Sequence, residues 1–324
     1  MIEKIYIYES SSTDPYRNIA TEKYLLEQGG NDCCILYLWQ NAHTVVIGRN
    51  QNAWSECRTA LLTEEGGKLA RRLSGGGAVY HDMGNLNFTF LVADGDYDVD
   101  RQLSVIQTAC IRLGIPVERS GRNDLLAEGK KFSGNAFYHS KGRAYHHGTL
   151  LVDADTEKLS RYLTPPKAKL EAKGVASVRS RVTNLKELCP TLTIPILKEQ
   201  LKLAFGEVYG FTPDVFTLNR RAEAVIAQDA VTLSGWDWLY GQRLPFSLSC
   251  EEYFPWGYLQ LLLQVESGVI SGAEVYTDAM DWSISDQLQK ALLGCRLEKA
   301  ALKDALAAVS AGQDVYRLLE KQTL

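Results

Sequence analysis

The residues best suited to chemistry lie between Arg71 and Phe88, R-R-L-S-G-G-G-A-V-Y-H-D-M-G-N-L-N-F. Gly75, Gly76 and Gly77 stand between a basic pair and a strand-like run. Without Cβ atoms, their backbone can take positive φ and press against a ligand. Successive turn N–H groups can converge on one anion. Arg71 and Arg72 are placed to add charge-assisted bonds to phosphate or carboxylate. The spacing is neither G-x-x-x-x-G-K-[ST] nor G-x-G-x-x-G, so neither nucleotide fingerprint applies. Taken alone, the triplet is equally a flexible loop before a strand.

Three more segments carry polar chemistry. Gly121 to Phe137 reads G-R-N-D-L-L-A-E-G-K-K-F-S-G-N-A-F. It predicts a hairpin turning at Glu128-Gly129, whose return strand sets Lys131 close to Gly134. One charge pair at ~4 Å and an effective dielectric of ~20 is worth about 4 kcal/mol before desolvation. By composition, two solvated surface lysines are the simpler alternative. Tyr145 to Leu150 contains His146-His147, but neighbours in a strand point to opposite faces. No Cys or acidic partner stands at metal-ligand spacing. Pro165 to Lys186 carries Lys167, Lys169, Lys173, Arg179, Arg181 and Lys186 against Glu171 alone. Pro165, Pro166 and Gly174 mark an irregular start. This basic island can cover an anion or face an acidic partner, or it is a solvated loop.

The elements that must hold these residues mix without a βαβ rhythm, which predicts α+β and not a doubly wound sheet. Glu3 to Tyr8, Ile35 to Trp39 and Thr44 to Ile47 read as strands. So does Leu86 to Leu91, with Leu86, Phe88 and Phe90 on one face and Asn87 and Thr89 on the other. Gly148 to Val152 is another. Pro15 following Asp14 opens a helix, and Arg101 to Leu113 forms a second, ended by Gly114. A boundary near residues 241 to 250 predicts a large domain, 1–246, and a small one, 247–324. The latter holds strands 259–265 and 269–276 and helical spacing from Ile284 onward.

Composition narrows the class. The 324 residues are 45% apolar and 23% charged, with a net charge of −4. That is ordinary for a globular protein and a poor footprint for nucleic acid or an anionic membrane. No apolar run approaches ~20 residues. The opening M-I-E-K-I-Y-I-Y-E alternates like a strand, so no secretory signal is expected. Seven cysteines without a C-x-x-C predict reduced thiols in a cytoplasmic protein.

In this order the four segments resemble the lipoate–protein ligase family. Its pattern runs R-R-x-x-G-G-G-A-V-[FY]-H-D-x-G-N, R-N-D, K-[IVF]-S-G-x-A and H-H-G-T-L-L. The run T-V-V-I-G-R-N-Q-N at Thr44 to Asn52 and A-K-G-V-A-S-V-R-S-R-V-T-N-L at Ala172 to Leu185 extend the likeness. F-P-W-G-Y-L-Q-L and V-Y-T-D, between Phe254 and Asp278, carry it into the small domain. The resemblance implies the α+β, class II synthetase-like catalytic fold shared with biotin ligases, plus an α+β C-terminal domain. It implies ATP and adenylate contacts at Arg72, Gly77, Ala78, Val79, Tyr80 and Lys131, with Lys131 acting electrostatically. It implies a lipoate-binding loop at Ser74, Gly75, Gly76 and Gly77. It places an adenylate-binding loop at Lys173, Gly174, Ser177 and Val178. Asn85, Asp124 and His147 are further candidate contacts.

The implied reaction uses ATP and Mg2+. Lipoate becomes lipoyl-AMP, and the lipoyl group then passes to a lysine of a lipoyl domain. The usual acceptors are the E2 subunits of 2-oxoacid dehydrogenases and the glycine-cleavage H protein. At ~0.8 kcal/mol per methylene, the alkyl stem alone contributes about 3 kcal/mol on burial. Two other readings remain. An octanoyl or lipoyl transferase on the same fold needs an exposed, activated cysteine. The basic loop has none, and Cys189 reads as structural. A non-catalytic lipoyl-domain binder needs no phosphate cradle.

Overall fold

In the computed structural model of the chain, the described residues are 1–49, 51, 53–120, 124–163, 182–240, 246–277, 279, 281 and 283–323. The chain falls into two compact units, Met1–Arg49 with Gly67–Ser234, and Asn50–Gly66 with Gly235–Leu324.

The elements run β1 (Lys4–Glu9), α1 (Pro15–Gln28), β2 (Cys33–Trp39), β3 (Thr44–Ile47), α2 (Ala53–Glu56), α3 (Thr59–Glu64), β4 (Lys68–Arg71), β5 (Val79–His81), β6 (Asn85–Ala93) and α4 (Val99–Arg112). Then come β7 (Glu118–Ser120), β8 (Asp124–Ala127), β9 (Lys130–Ser140), β10 (Arg143–Leu151), α5 (Thr156–Tyr162), α6 (Leu185–Leu188), α7 (Ile194–Tyr209), β11 (Asp214–Val215) and α8 (Arg220–Ser234).

Local chemistry explains the helix ends. The Asp14 carboxylate accepts from the N–H groups of Tyr16 and Arg17, and Pro15 occupies the first turn of α1. Thr193 caps α7, which stops at Gly210 in the left-handed region, φ 72°.

The large unit is built on a mixed sheet in the order β11-β1-β2-β6-β10-β9-β8-β7. β1 runs parallel to β2 and β11. The other neighbours are antiparallel. This is the α+β arrangement the element order predicts. One sheet face packs Leu36, Leu38, Phe88 and Phe90 against Leu103, Ile106, Leu201 and Phe205 of α4 and α7. The opposite face of β6 offers Asn85, Asn87 and Thr89, all buried. The side chain of Glu22, on α1, reaches Thr89 there.

A small second sheet, β4-β3-β5, shapes the glycine loop. β4 runs parallel to β3 and β5 antiparallel to it, on opposite sides. The link from Arg72 to Ala78 must therefore cross the end of β3. Gly48 sits at that crossing: a Cβ there would lie 2.2 Å from the Gly76 carbonyl oxygen.

The second unit contains α2 and α3, then α9 (Trp236–Leu239), a β12 (Phe246–Phe254), β13 (Gly257–Glu266), β14 (Val269–Thr277) meander, and α10 (Ser283–Leu292), α11 (Lys299–Leu306) and α12 (Gly312–Thr323). Leu259, Leu261, Leu263 and Val265 alternate inward onto Leu288, Leu302 and Leu318. Part of the stretch read as a boundary, from Phe246 on, is strand β12, paired along β13. The seven cysteines are all free thiols. Among the described residues, no helix is long and apolar enough to cross a membrane.

Candidate active site

A cleft of about 270 Å³ opens in the large unit, between the glycine loop and strands β8 to β10. Arg72, Gly76, Gly77, Ala78, Val79, Asp124, Lys131 and His147 line it, so eight of the predicted residues meet. Ser74, Gly75, Tyr80 and Asn85 are not in its lining. Lys173, Gly174, Ser177 and Val178 lie outside the described residues, as does most of the basic segment.

The mouth is formed by one hairpin. Glu128 and Gly129 both take positive φ, 50° and 74°, which matches the twist of a tight β turn. Lys131 follows in β9. Its ammonium lies 2.7 Å from Asp124 Oδ1 on β8. A Cβ on Gly134 would approach Lys131 Nζ to 3.0 Å and Cε to 3.1 Å. The missing side chain at Gly134 thus leaves the lane along which Lys131 reaches Asp124. The main chain of Lys131 is stitched as well: Thr183 N–H donates to its carbonyl at 3.0 Å.

Across the cleft, Arg72 shapes the loop from within. It is only 7% exposed. Nη2–H groups donate to the carbonyls of Gly75 and Gly77, both at 2.7 Å. Nη1–H reaches the Val46 carbonyl at 3.2 Å, and Nε–H the Gly75 carbonyl at 3.1 Å and Ser74 Oγ at 3.2 Å. With the Gly75 and Gly77 carbonyls engaged by Arg72, the planar trans peptides turn the N–H groups that follow, those of Gly76 and Ala78, the opposite way. Burial pulls the Arg72 pKa down to about 10, which still leaves it charged near neutrality. Gly76 takes φ +90° with Arg72 Nη2 2.9 Å from its Cβ position, so a side chain is excluded twice. Gly75 and Gly77 face open space on that side.

Ser74 is fully buried and joins a second line of bonds. Its Oγ lies 2.8 Å from His147 Nε2, and His147 Nδ1 lies 2.8 Å from Glu22 Oε1. Thr89 Oγ1–H donates to the same Glu22 oxygen at 2.7 Å, and Trp39 Nε1–H donates to Thr89 at 3.0 Å. His146 points to the opposite face, among Phe88, Phe90 and Phe137. Burial lowers its pKa to about 3. Tyr80 packs on Tyr162 and His43. Asn85 donates to Asn87 Oδ1 at 3.0 Å.

The floor adds residues that motif reading did not assign: Trp39, His81, Asn87 and, behind them, Glu22. No sequence signal singled out Asn87, because the alternation of β6 reads the same whether its polar face is inside or out; its burial beside Asn85 and Thr89 marks an internal polar site only once the fold is known. Among the described residues, no three His, Cys, Asp or Glu side chains are grouped to hold a metal. Asp124 is the one carboxylate among the described lining residues. Cys189 caps α6 and lies outside this lining.

Residues 14–206 match the family model for the lipoyl protein ligase A/B catalytic domain. Residues 244–323 match the bacterial lipoate protein ligase C-terminus. The structure of P. falciparum LipL1 in complex with lipoate is similar over 98% of this chain and 99% of that one, at 28% identity and TM-score 0.63. A bi-partite lipoate protein ligase of Thermoplasma acidophilum, studied with its E2 lipoyl domain, covers 74% of this chain and 97% of its own, at 27% identity and TM-score 0.65. A lipoate-protein ligase A bound with ATP shares the fold, at 24% identity and TM-score 0.65, over 74% of this chain and 99% of that one.

Proposed function

This chain belongs to the lipoate–protein ligase family, matching both its catalytic and its C-terminal domain, and we propose that it activates lipoate with ATP and transfers the lipoyl group to protein lysines. The observation that carries this reading is the pairing of Lys131 and the glycine loop across one cleft. A carboxylate and a triphosphate bring several negative charges together. One ammonium in the same cleft as a loop whose Gly76 and Ala78 N–H groups turn away from Arg72 suits that task.

In the first step a lipoate carboxylate oxygen attacks the α-phosphorus of ATP. The bond from phosphorus to the β-phosphate bridging oxygen breaks, and pyrophosphate leaves with that electron pair. Lys131 contacts both the carboxylate and the α-phosphate, orienting them and offsetting charge in the transition state. To do so its ammonium exchanges Asp124 for the phosphate. In the second step the amine of an acceptor lysine attacks the acyl carbon, loses its proton, and AMP leaves. Mg2+ suits a site with a single carboxylate, since it is commonly held by one or two carboxylates plus substrate phosphates. Asp124 is the residue that would hold it, and the ion would screen the triphosphate.

The segment around Lys173, Gly174, Ser177 and Val178 would cover the adenylate. The pairing of Thr183 with the Lys131 main chain supports this, because it returns the end of that segment to the site. The acceptors would be lipoyl domains of dehydrogenase E2 subunits and the glycine-cleavage H protein. The site of action would be the cytoplasm, with catalysis in residues 1–246 and an accessory domain in 247–324.

The test is a lipoylation assay with lipoate, ATP, Mg2+ and an apo lipoyl domain, leaving out each in turn. Every omission should abolish product. Product formed without ATP, from octanoyl carrier protein and lost in Cys189→Ala, would instead establish a thioester transferase.

A further inference from the structure

The second unit carries a surface that the cleft does not use. β12, β13 and β14 form one three-stranded sheet, with side chains alternating between its two faces. Leu248, Cys250, Leu259, Leu261, Leu263 and Val275 lie on the inner face, in the core shared with the helices. The outer face meets solvent. Tyr253 is 80% and Tyr276 51% exposed, and Glu251 and Glu274 are exposed beside them. Tyr253 stands opposite Tyr258, with ring centroids 4.9 Å apart. Gln260 stands between Glu251 and Tyr276. The Tyr258 hydroxyl donates to Glu251 Oε2 at 2.5 Å, and the Tyr276 hydroxyl to Glu274 Oε2 at 2.8 Å. Each bond sets a carboxylate at the rim of an aromatic ring.

The charge on this face has one sign. Residues 244–289 contain seven acidic residues and no lysine or arginine. Among the described residues, the one ion pair made by the sheet joins Lys321 to Glu252, which belongs to the inner face. A plain solvated face mixes both signs and carries few aromatic rings. We infer that the outer face of this sheet is a docking surface for a lysine- and arginine-bearing segment of a protein partner. Tyrosine rings attract such cations over their π faces, and tyrosine is enriched where proteins meet. Glu251 and Glu274 are tied to different tyrosines, and among the described residues no group of three ligands forms a metal site. Their positions are two strands and one side-chain row apart, roughly 12 Å. Basic residues three or four apart on an extended chain span that distance, at ~3.3–3.6 Å per residue. Nucleic acid and anionic lipid carry the wrong charge for this face, and so does the same face of a second copy.

The experiment titrates the full chain into a fluorescein-labelled dodecapeptide of alternating arginine and serine, read by fluorescence anisotropy. Binding should saturate, and should weaken as salt rises from about 50 to about 300 mM. Glu251→Gln combined with Glu274→Gln keeps an acceptor for each tyrosine and should raise Kd roughly fivefold or more. Tyr253→Ser should raise it roughly two- to fivefold. Melting temperatures should not move, since these side chains lie in solvent. Glu3→Gln combined with Glu64→Gln removes the same charge from exposed positions elsewhere and should leave Kd unchanged. Equal weakening in the two double variants overturns the inference and leaves only net charge. So does the absence of saturable binding in the wild type, which requires no variant to fold. Displacement of the peptide by spermine at equal concentration of positive charge assigns the face to free polyamines instead. Self-association in sedimentation, lost in the Glu251 and Glu274 variant, assigns it to a second copy. Each of these results leaves the ligase reading standing, because lipoate-dependent pyrophosphate release tests that separately.

Discussion

Glu22 and His147 lie 125 positions apart in the chain, yet their side chains meet at 2.8 Å in a buried pair. Glu22 has no exposed surface, and His147 is 6% exposed. Through Ser74 this pair reaches Arg72, so a buried carboxylate and a buried guanidinium balance each other without touching. Removing the acceptor should be expensive. Glu22→Ala strands the donors of Thr89 and His147 and should cost roughly 2–5 kcal/mol. Glu22→Gln keeps an oxygen for both and should cost less than about 1 kcal/mol. Urea unfolding curves would compare them. Equal losses would shift the weight from hydrogen-bond acceptance to charge.

Lys131 is different, because its partner is as exposed as itself. A surface ion pair contributes little to stability. Lys131→Ala should therefore leave the unfolding midpoint nearly unchanged. It should lower ATP–pyrophosphate exchange by roughly 10²- to 10³-fold. Normal exchange in that variant would falsify the electrostatic role proposed for it.

The three loop glycines should not be equivalent. Gly76→Ala places a side chain at positive φ and against Arg72, and should destabilise by roughly 1–3 kcal/mol while weakening ATP or lipoate binding. Gly75→Ala meets open space and should be tolerated. Gly48→Ala, outside the triplet, should resemble Gly76→Ala because its Cβ collides with the loop carbonyl. Matched binding titrations and melting curves would show whether the ranking holds.

His81 and His146 imply a pH dependence. Both are neutral in the fold, with pKa values lowered to about 3 by burial. The unfolded chain binds protons at its histidines near pH 6.5. Between about pH 6.5 and 3 the unfolded state holds more protons, so stability is present above that window and is lost as pH falls through it. Each ring contributes a slope of about 1.4 kcal/mol per pH unit. Replacing His146 with Gln should flatten the stability curve between pH 6 and 4 by about that amount. A curve parallel to the wild type would count against the assignment.

The mouth of the site was legible in sequence because its parts are local. A hairpin turn fixes Lys131 relative to Asp124 and Gly134, and the glycine run is one loop. The rest of the floor was not, because Trp39, His81 and Asn87 come from three strands, with β5 in a different sheet from β2 and β6, and meet only in the folded chain; His147 beside them was named from the H-H-G-T-L-L run. Glu22 carried no signal, since a charged residue in an amphipathic helix ordinarily reads as surface. The alternation of β6 was read correctly, but its polar face was not recognised as interior. β12 was overlooked although F-S-L-S-C alternates like a strand, because it fell inside the stretch 241–250 read as a domain boundary. The helices α7 and α8 bear no chemical motif and drew no assignment.

Arg72 has a mechanical consequence beyond its charge. By tying Val46 of the small sheet to the carbonyls of Gly75 and Gly77, one side chain makes that wall of the cleft a single stiff piece. A lysine could not replace it, since three donors radiating from one atom cannot span those carbonyls. A bulkier acyl group would have to be accommodated by the hairpin wall opposite, or by carving into the floor. Widening the substrate range of this protein should therefore begin at the floor and the hairpin, leaving the arginine and its loop untouched.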